Sequence, residues 1–164
     1  MDTNTSLEVR SLKDPRVVWA TGLGVGFARP APGTWGSAAA LLVWWFALAD
    51  LDAVVQIVVT AVYFLSGWWA SATVCSQYDI ADAPEIVADE IAGMWLALVF
   101  VPKVWWLVAA AFVLFRVLDI TKPGPIGKLD REVHGGLGVM LDDILAGATV
   151  AIVMYVSLLA FDLG

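Results

Sequence analysis

The chain has 164 residues, of which 60% are hydrophobic and only 15% charged, with a formal net charge of −7. Because soluble domains usually carry about 25% charged residues, this composition excludes an ordinary water-soluble fold, and the acidic balance argues against a nucleic-acid partner. Helices satisfy their own backbone hydrogen bonds in lipid, so we predict an all-α integral membrane protein.

The chain divides into a polar N-terminal tail at 1–16 and a single transmembrane helical domain at 17–164. A straight span needs roughly 17–25 apolar residues, and the apolar segments here are short or just long enough. We therefore predict a compact bundle of four to five short transmembrane helices with cytoplasmic-face loops. The predicted helices cover 34–49, 53–75, 85–101, 104–119 and 142–161.

Pro102-Lys103 decides between four and five helices. Proline disfavours helix at the residue before it, so we interpret this pair as a tight turn between two short helices. The alternative is one bent helix across 91–118. With the turn, eight of the nine basic residues fall on or beside one face of the membrane, and only Lys103 falls on the other. That distribution is the positive-inside pattern and favours the turn.

Acidic residues gather on the same face as the basic ones. So many carboxylates are costly unless cations lie among them, and a divalent metal with a phosphate ligand would restore the balance. Ionisable residues near the ends of membrane helices are functional candidates by default. The acidic residues on this face are Asp79, Asp82, Glu85, Asp89, Glu90, Asp119, Asp130, Glu132, Asp142 and Asp143.

The first motif is Gly33-Thr34-Trp35-Gly36-Ser37, which follows a proline-rich stretch and enters the first predicted helix. Backbone N–H groups at a helix N-terminus favour an anion, which makes Thr34 and Ser37 candidates for phosphate binding. The alternative is a simple helix cap with Trp35 as an anchor at the membrane interface.

The second motif runs from Asp82 to Gly93. Pro84 suits the first turn of a helix, and a helix beginning that early puts Asp82, Glu85 and Asp89 on one face. Acids in a first turn also suit the helix dipole. That account does not explain Asp89 and Glu90, which stand where apolar sequence begins, and such hard oxygen ligands favour Mg²⁺.

The third and fourth motifs lie at 116–126 and 130–143. Arg116 and Asp119 are spaced for an ion pair, and Arg116 and Lys122 carry groups that match phosphate oxygens. Asp142-Asp143 opens the last predicted helix, and two adjacent carboxylates exceed what capping needs. The single histidine, His134, has either a structural role or one in proton transfer or phosphate contact.

Together these stretches resemble the phosphatidylglycerophosphatase A family of bacterial membrane phosphatases. The resemblance rests on PAPGTWGS at 30–37, on D-x-x-x-IV-x-DE-x-x-GMW at 82–95, and on FRVLDITKPGPI…LDREVHGGLGVMLDDILAG at 115–147. Gly124 departs from the family pattern, which often has a bulky aromatic residue between the two prolines. The resemblance implies Mg²⁺-dependent hydrolysis of phosphatidylglycerophosphate, a membrane phospholipid, on the cytoplasmic side of the bacterial inner membrane.

With that reaction in view, each candidate residue receives a hypothetical role. One set holds Mg²⁺, a second clamps phosphate oxygens, and a third positions water or protonates the leaving alkoxide; a covalent route with Asp89 or Asp142 as nucleophile is the alternative. The residues that hold Mg²⁺ are Asp82, Asp89, Glu90, Asp142 and Asp143. Those that bind the phosphate oxygens are Thr34, Ser37, Arg116, Lys122 and Arg131. Those that position water or donate the proton are Asp119, Asp130 and His134.

A rival from another class is a small channel or transporter for a divalent cation, which predicts acids near the bilayer midplane. Here the acids stand at the ends of the spans instead. The sequence leaves the oligomeric state open, a homo-oligomer included.

Overall fold

The computed structural model describes residues 7–80, 83–132 and 136–161, without the side chains of Arg10 and of residues 129–139. All regular secondary structure in these residues is helical, which confirms the all-α prediction. The α-helices are α1 (Pro15–Ala20), α2 (Pro32–Val43), α3 (Ala53–Tyr78), α4 (Ala88–Leu98), α5 (Trp105–Thr121), α6 (Pro125–Glu132) and α7 (Gly136–Ala160). Short 3₁₀ helices cover Val9–Lys13 and Val25–Phe27, and a π-helical turn, Trp44–Leu48, extends α2.

Two helices in the described residues are long and apolar enough to cross a membrane. They are Ala53–Tyr78 and the stretch Met140–Ala160 of α7. The structure therefore supports two candidate spans, fewer than the four to five predicted from the sequence.

The centre of the bundle is α4, which packs against α2, α3, α5 and α7. Nine of its eleven residues are buried, Met94 and Leu98 completely. A helix that is apolar on nearly every side belongs in a core, and this explains why α4 is surrounded. Trp95 adds a specific tie, because its indole N–H donates to the carbonyl of Ala40 at 2.9 Å.

Two glycines allow α4 and α7 to touch. A Cβ on Gly147 would lie 2.2 Å from the Gly93 carbonyl oxygen, and a Cβ on Gly93 would lie 2.6 Å from the Asp143 carbonyl oxygen. Real Cβ atoms do not approach so closely, so the helix axes can be this near only because both positions lack a side chain. This glycine crossing (Gly93 and Gly147) brings the acidic first turn of α4 beside Asp143.

The bundle has two distinct ends. At the turn end, the loops at 49–52 and 99–104 meet, and the Lys103 ammonium lies 2.6 Å from the Asp50 carboxylate. The opposite, acidic end contains the C-termini of α3 and α5, where Lys122 lies 2.6 Å from Asp142. Pro102-Lys103 thus separates two helices, α4 and α5, that pack against each other, and no bent helix crosses 91–118.

The starts of two helices differ clearly from those expected. The helix predicted from residue 85 begins at Ala88, because Pro84 and Glu85 form a turn whose side chains face other partners. The helix predicted from residue 142 begins at Gly136, so the prediction that Asp142 and Asp143 open it was wrong. Glycines disfavour helix, but burial of Met140 against α3 favours it there.

The predicted helices also omit α1, α6 and the two short 3₁₀ helices. Helix α6 begins at Pro125, in a stretch for which no helix was predicted, and proline suits a first helical turn. Within the predicted tail, residues 7–16 are helical in part and packed, with the Leu7 side chain only 6% exposed. Residues 1–6 lie outside the described part of the chain.

Candidate active site

A cavity of about 350 Å³ opens at the acidic end of the bundle. Its walls come from four separate stretches of the chain, which the fold brings together around the start of α4. The first stretch, before and in α2, gives Ala31, Pro32 and Gly33, and the second, which leads into α4, gives Ala83, Pro84, Ile86, Asp89 and Glu90. The third, at the end of α5, gives Arg116, Asp119, Ile120 and Lys122, and the fourth, in α7, gives Asp142 and Asp143.

Three carboxylates form a cluster inside this cavity. Asp89, Glu90 and Asp143 each offer an oxygen, and these oxygens lie within 4.8 Å of one another. Asp89 is 7% exposed and Asp143 is 3% exposed. Among the described residues, Asp89 Oδ1 and Glu90 Oε2 are buried without a hydrogen-bond partner. Buried acids this close repel one another unless protons or a cation lie between them.

Asp119 connects the acidic cluster to the first of two cations. Its carboxylate lies 2.5 Å from Arg116 Nη1 and within hydrogen-bonding reach of Asp143. The same guanidinium donates to the Ser37 hydroxyl at 3.2 Å, and its Nε is buried with no partner in the described part of the chain. Arg116 is therefore fixed on two sides and keeps a donor for a further acceptor.

Lys122 is the second cation, and it lies across the cavity at the end of α5. Its ammonium contacts Asp142 Oδ2 at 2.6 Å, and the side chain is about one-third exposed. Lys122 itself ends α5 in a left-handed conformation, with φ +43°. This turn of the backbone places the ammonium beside α7 instead of along the outer face of α5.

Gly33 brings the N-terminus of α2 against the acidic cluster. A Cβ here would lie 2.1 Å from Glu90 Oε1 and 3.4 Å from Arg116 Nη1. The positive end of the helix dipole thus faces Glu90 and the cavity. Sequence reasoning chose the hydroxyls of this motif and missed the glycine, whose signal was its position between Pro32 and Thr34 at a helix start.

The structure brings seven of the predicted site residues to one cavity, although they lie far apart in the sequence. Ser37 supports the cavity from behind through Arg116, and Thr34 is half-buried outside its lining. Asp82 and His134 lie outside the described residues, as do the side chains of Asp130 and Arg131. The seven residues are Asp89, Glu90, Arg116, Asp119, Lys122, Asp142 and Asp143.

Glu85 does not join the acidic cluster. It was expected on one helix face with Asp82 and Asp89, but it precedes the helix and turns away from the cavity. Its carboxylate accepts hydrogen bonds from Arg29 and from the backbone of Leu7.

The donor set suits a hard divalent cation. Asp89, Glu90 and Asp143 offer only oxygen atoms, which Mg²⁺ and Ca²⁺ prefer. The two buried oxygens without partners give a physical reason for an ion at this point, because a bound cation would satisfy both. The residues present therefore fit a divalent metal.

An apolar helical bundle whose end cavity combines clustered carboxylates with Arg and Lys has the groups that suit a divalent cation and a phosphate ester. Residues 18–158 match the family model described as Phosphatidylglycerophosphatase A. The chain belongs to the phosphatidylglycerophosphatase A family.

Three relatives agree with this assignment along most of the chain. Phosphatidylglycerophosphatase A of Haemophilus influenzae is 36% identical over 156 residues, covering 94% of this chain and 96% of the relative. The Escherichia coli protein of the same name is 38% identical over 145 residues, 88% and 84% respectively. A Bacteroides thetaiotaomicron relative with the provisional name phosphatidylinositol-3-phosphatase is 38% identical over 138 residues, 80% and 86%. No solved structure matches significantly.

Proposed function

We propose that this protein hydrolyses phosphatidylglycerophosphate to phosphatidylglycerol and inorganic phosphate. Family membership supplies the reaction, and two relatives carry its name. One structural observation carries the proposal: a single cavity holds five carboxylates, three of them clustered, together with two cations from α5 and its C-terminal end. A phosphate monoester needs both, because its oxygens bind cations while its hydrolysis needs acid and base groups.

We propose that Asp89, Glu90 and Asp143 hold Mg²⁺. The proposal is supported by the spacing of their oxygens and by the lack of other partners for two of those atoms. When bound, the ion supplies Lewis-acid polarisation of the phosphoryl group. Asp142, which was also expected as a metal ligand, pairs with Lys122 and would lie at the edge of the three metal-binding carboxylates.

Arg116 and Lys122 would bind the non-bridging phosphate oxygens. Arg116 has a rigid fork that Ser37 and Asp119 already orient, and Lys122 adds a point charge from the other side of the cavity. Donors fixed before the substrate arrives stabilise charge in the transition state without reorganising.

In the reaction, an oxygen nucleophile forms a new bond to phosphorus while the bond from phosphorus to the glycerol oxygen breaks. In the water route the attacking water loses one proton and the leaving alkoxide gains one. Asp119, whose carboxylate pairs with Arg116 and reaches Asp143, would position that water. The nucleophile is either water or, in the covalent alternative, the carboxylate of Asp89 or Asp142. In the covalent route, substrate labelled in its phosphate transfers the label to the protein. After an acid quench the protein would carry this label as an acyl phosphate, which hydroxylamine cleaves.

We propose that the protein is a multi-pass protein of the bacterial cytoplasmic membrane, with the cavity on the cytoplasmic side. The acidic end also carries Arg16, whose guanidinium reaches Gln77 at the end of α3, together with Arg116 and Lys122. Lys103 lies at the turn end. This asymmetry is the one that the positive-inside rule associates with the cytoplasmic face.

The channel or transporter alternative is not favoured. The core that α4, α5 and α7 form beneath the cavity is lined by apolar side chains, with Leu98 at the end of α4, Val101 after it, Val108 on α5, and Val150 and Met154 on α7. A path for a hydrated cation would need polar groups through this region.

The test is phosphate release from phosphatidylglycerophosphate in mixed micelles by the purified full chain. We expect release with Mg²⁺ and its loss on addition of a chelator. Lipid phosphomonoesters with other headgroups, phosphatidylinositol 3-phosphate included, serve as competing substrates. Absence of release from every one of them, with the protein folded and Mg²⁺ present, would overturn the proposed function.

A further inference from the structure

Glu85 is a buried carboxylate that the proposed chemistry does not use. It is 1% exposed, although its neighbours belong to an apolar cluster that includes Leu7, Ala83 and Ile86. Its Oε1 accepts from Arg29 Nη2 at 2.5 Å, and its Oε2 accepts from the Leu7 backbone N–H at 2.9 Å. Burying a carboxylate is unfavourable without such partners, so both bonds are needed to hold it there.

The two partners come from parts of the chain that are remote from Glu85 in sequence. Arg29 lies two residues before Ala31, where one wall of the cavity begins. Glu85 does not line the cavity itself, but its chain neighbours Pro84 and Ile86 belong to the opposite wall. The Glu85 side chain thus connects the stretch beside one wall to the stretch beside the other, and it also holds the N-terminal segment at Leu7.

The backbone around this tie is packed too closely to shift independently. A Cβ on Gly26 would lie 1.9 Å from the Glu85 carbonyl oxygen. The Val87 N–H donates to the Ala20 carbonyl at 3.0 Å. Residues 20–29 therefore lie directly on the 85–87 segment, and the ion pair fixes the edge of that contact nearest the cavity.

We propose that Glu85, held by Arg29, is a positioning residue that sets the distance between the two loop walls of the cavity. The proposal rests on the proposed function, since the cavity must bind the headgroup for its walls to matter. The acids and cations of the site lie on α4, α5 and α7, so loss of the tie loosens the mouth and leaves them in place. The expected effect therefore falls on KM for the lipid more than on kcat.

The test is a double-mutant cycle with Arg29→Gln, Glu85→Gln and the two combined, measured as phosphate release over a range of lipid concentrations. Each single change is expected to raise KM roughly tenfold, which corresponds to about 1.4 kcal/mol of binding free energy, with kcat nearly unchanged. The double variant is expected to match the worse single variant, because the shared contact is lost only once. Arg29→Lys, which keeps the charge, should restore most of the loss.

Arg16→Gln is the matched control. Arg16 is also a partly exposed arginine in an ion pair, with Asp14 at 2.7 Å, but neither residue lines the cavity. It should leave KM unchanged. Amide hydrogen exchange gives a readout independent of substrate. Glu85→Gln leaves one acceptor oxygen for two donors, Arg29 and the Leu7 N–H, and should speed exchange at Leu7.

The outcomes separate this proposal from the proposed function. An inactive wild type contradicts the function, whereas the exchange result still reports on the tie. If the wild type is active and the KM effects of Arg29→Gln and Glu85→Gln multiply in the double variant, Arg29 acts on substrate by itself and the tie is refuted. Unchanged KM in both single variants refutes it equally.

Discussion

At the glycine crossing, replacing Gly147 by alanine has two opposite effects: it favours the helix and it disturbs the geometry of the site. Gly147 lies one turn after Asp143, and Gly93 lies one turn after Asp89, so the crossing is directly beneath the acidic cluster. In an isolated helix, Gly147→Ala would stabilise by about 1 kcal/mol, because alanine is the better helix former. Here its methyl group would meet a backbone carbonyl.

The size of that conflict follows from the contact itself. The new Cβ would lie 2.2 Å from the Gly93 carbonyl oxygen, where ordinary contact begins at 3.4 Å, so the helices must separate by about 1.2 Å (3.4 − 2.2). Overpacking of this kind costs about 1–3 kcal/mol, which cancels or exceeds the propensity gain. A shift of about 1 Å among catalytic groups can reduce the rate about a hundredfold.

We therefore expect Gly147→Ala to lower kcat/KM about a hundredfold and to raise the Mg²⁺ concentration needed for half-maximal activity, with at most a small change in thermal stability. Phosphate release against Mg²⁺ concentration measures the first two, and thermal unfolding in detergent measures the third. Val156→Ile adds one methyl group on the exposed side of the same helix and should have no effect. Activity of Gly147→Ala within twofold of wild type would show that the crossing does not set the site.

Three further predictions concern the cavity and the turn end. Asp89→Asn and Asp143→Asn should each abolish phosphate release while the protein stays in the membrane fraction, whereas Asp52→Asn, at the turn end, should be fully active; activity in both cavity variants would remove the acidic cluster from the mechanism. Arg116→Lys should raise KM more than tenfold, because lysine cannot reproduce a fork oriented by two partners; an unchanged KM would exclude phosphate binding by Arg116. Lys103→Gln should change stability by about 0–1 kcal/mol, since its Asp50 partner is 76% exposed, and a larger loss in thermal unfolding would contradict that.

The helical class and the main helices could be predicted because apolar runs and proline positions are local signals. The turn at Pro102-Lys103 is such a case, since proline acts on its immediate neighbour whatever the rest of the chain does. The start of α7 could not be predicted in the same way. Its glycines oppose helix, and the opposing force is burial of Met140 against a helix some seventy residues earlier in the sequence.

The sequence was enough to predict which residues come together at the site, but not which of them pair with one another. Placing every loop on its side of the membrane was enough to group Asp89, Glu90 and Asp143 with Arg116 and Lys122. Pairing within the group depends on backbone details that spacing does not reveal, such as the left-handed turn that aims Lys122 at Asp142. Glu85 was grouped with the wrong partners for the same reason, because its orientation depends on a turn instead of a helix.

The shortness of α4 has a consequence for the surrounding lipid. Eleven residues at 1.5 Å each make a helix about 16 Å long, roughly half the 30 Å hydrocarbon core of a typical bilayer. The acidic cluster is at one end of this helix and a loop is at the other. In the proposed multi-pass arrangement, α3 and α7 match a bilayer of ordinary thickness, whereas the central α4 does not. The substrate's phosphate must then sink below its neighbours to reach the acidic cluster, which makes turnover sensitive to the acyl-chain length of the host membrane.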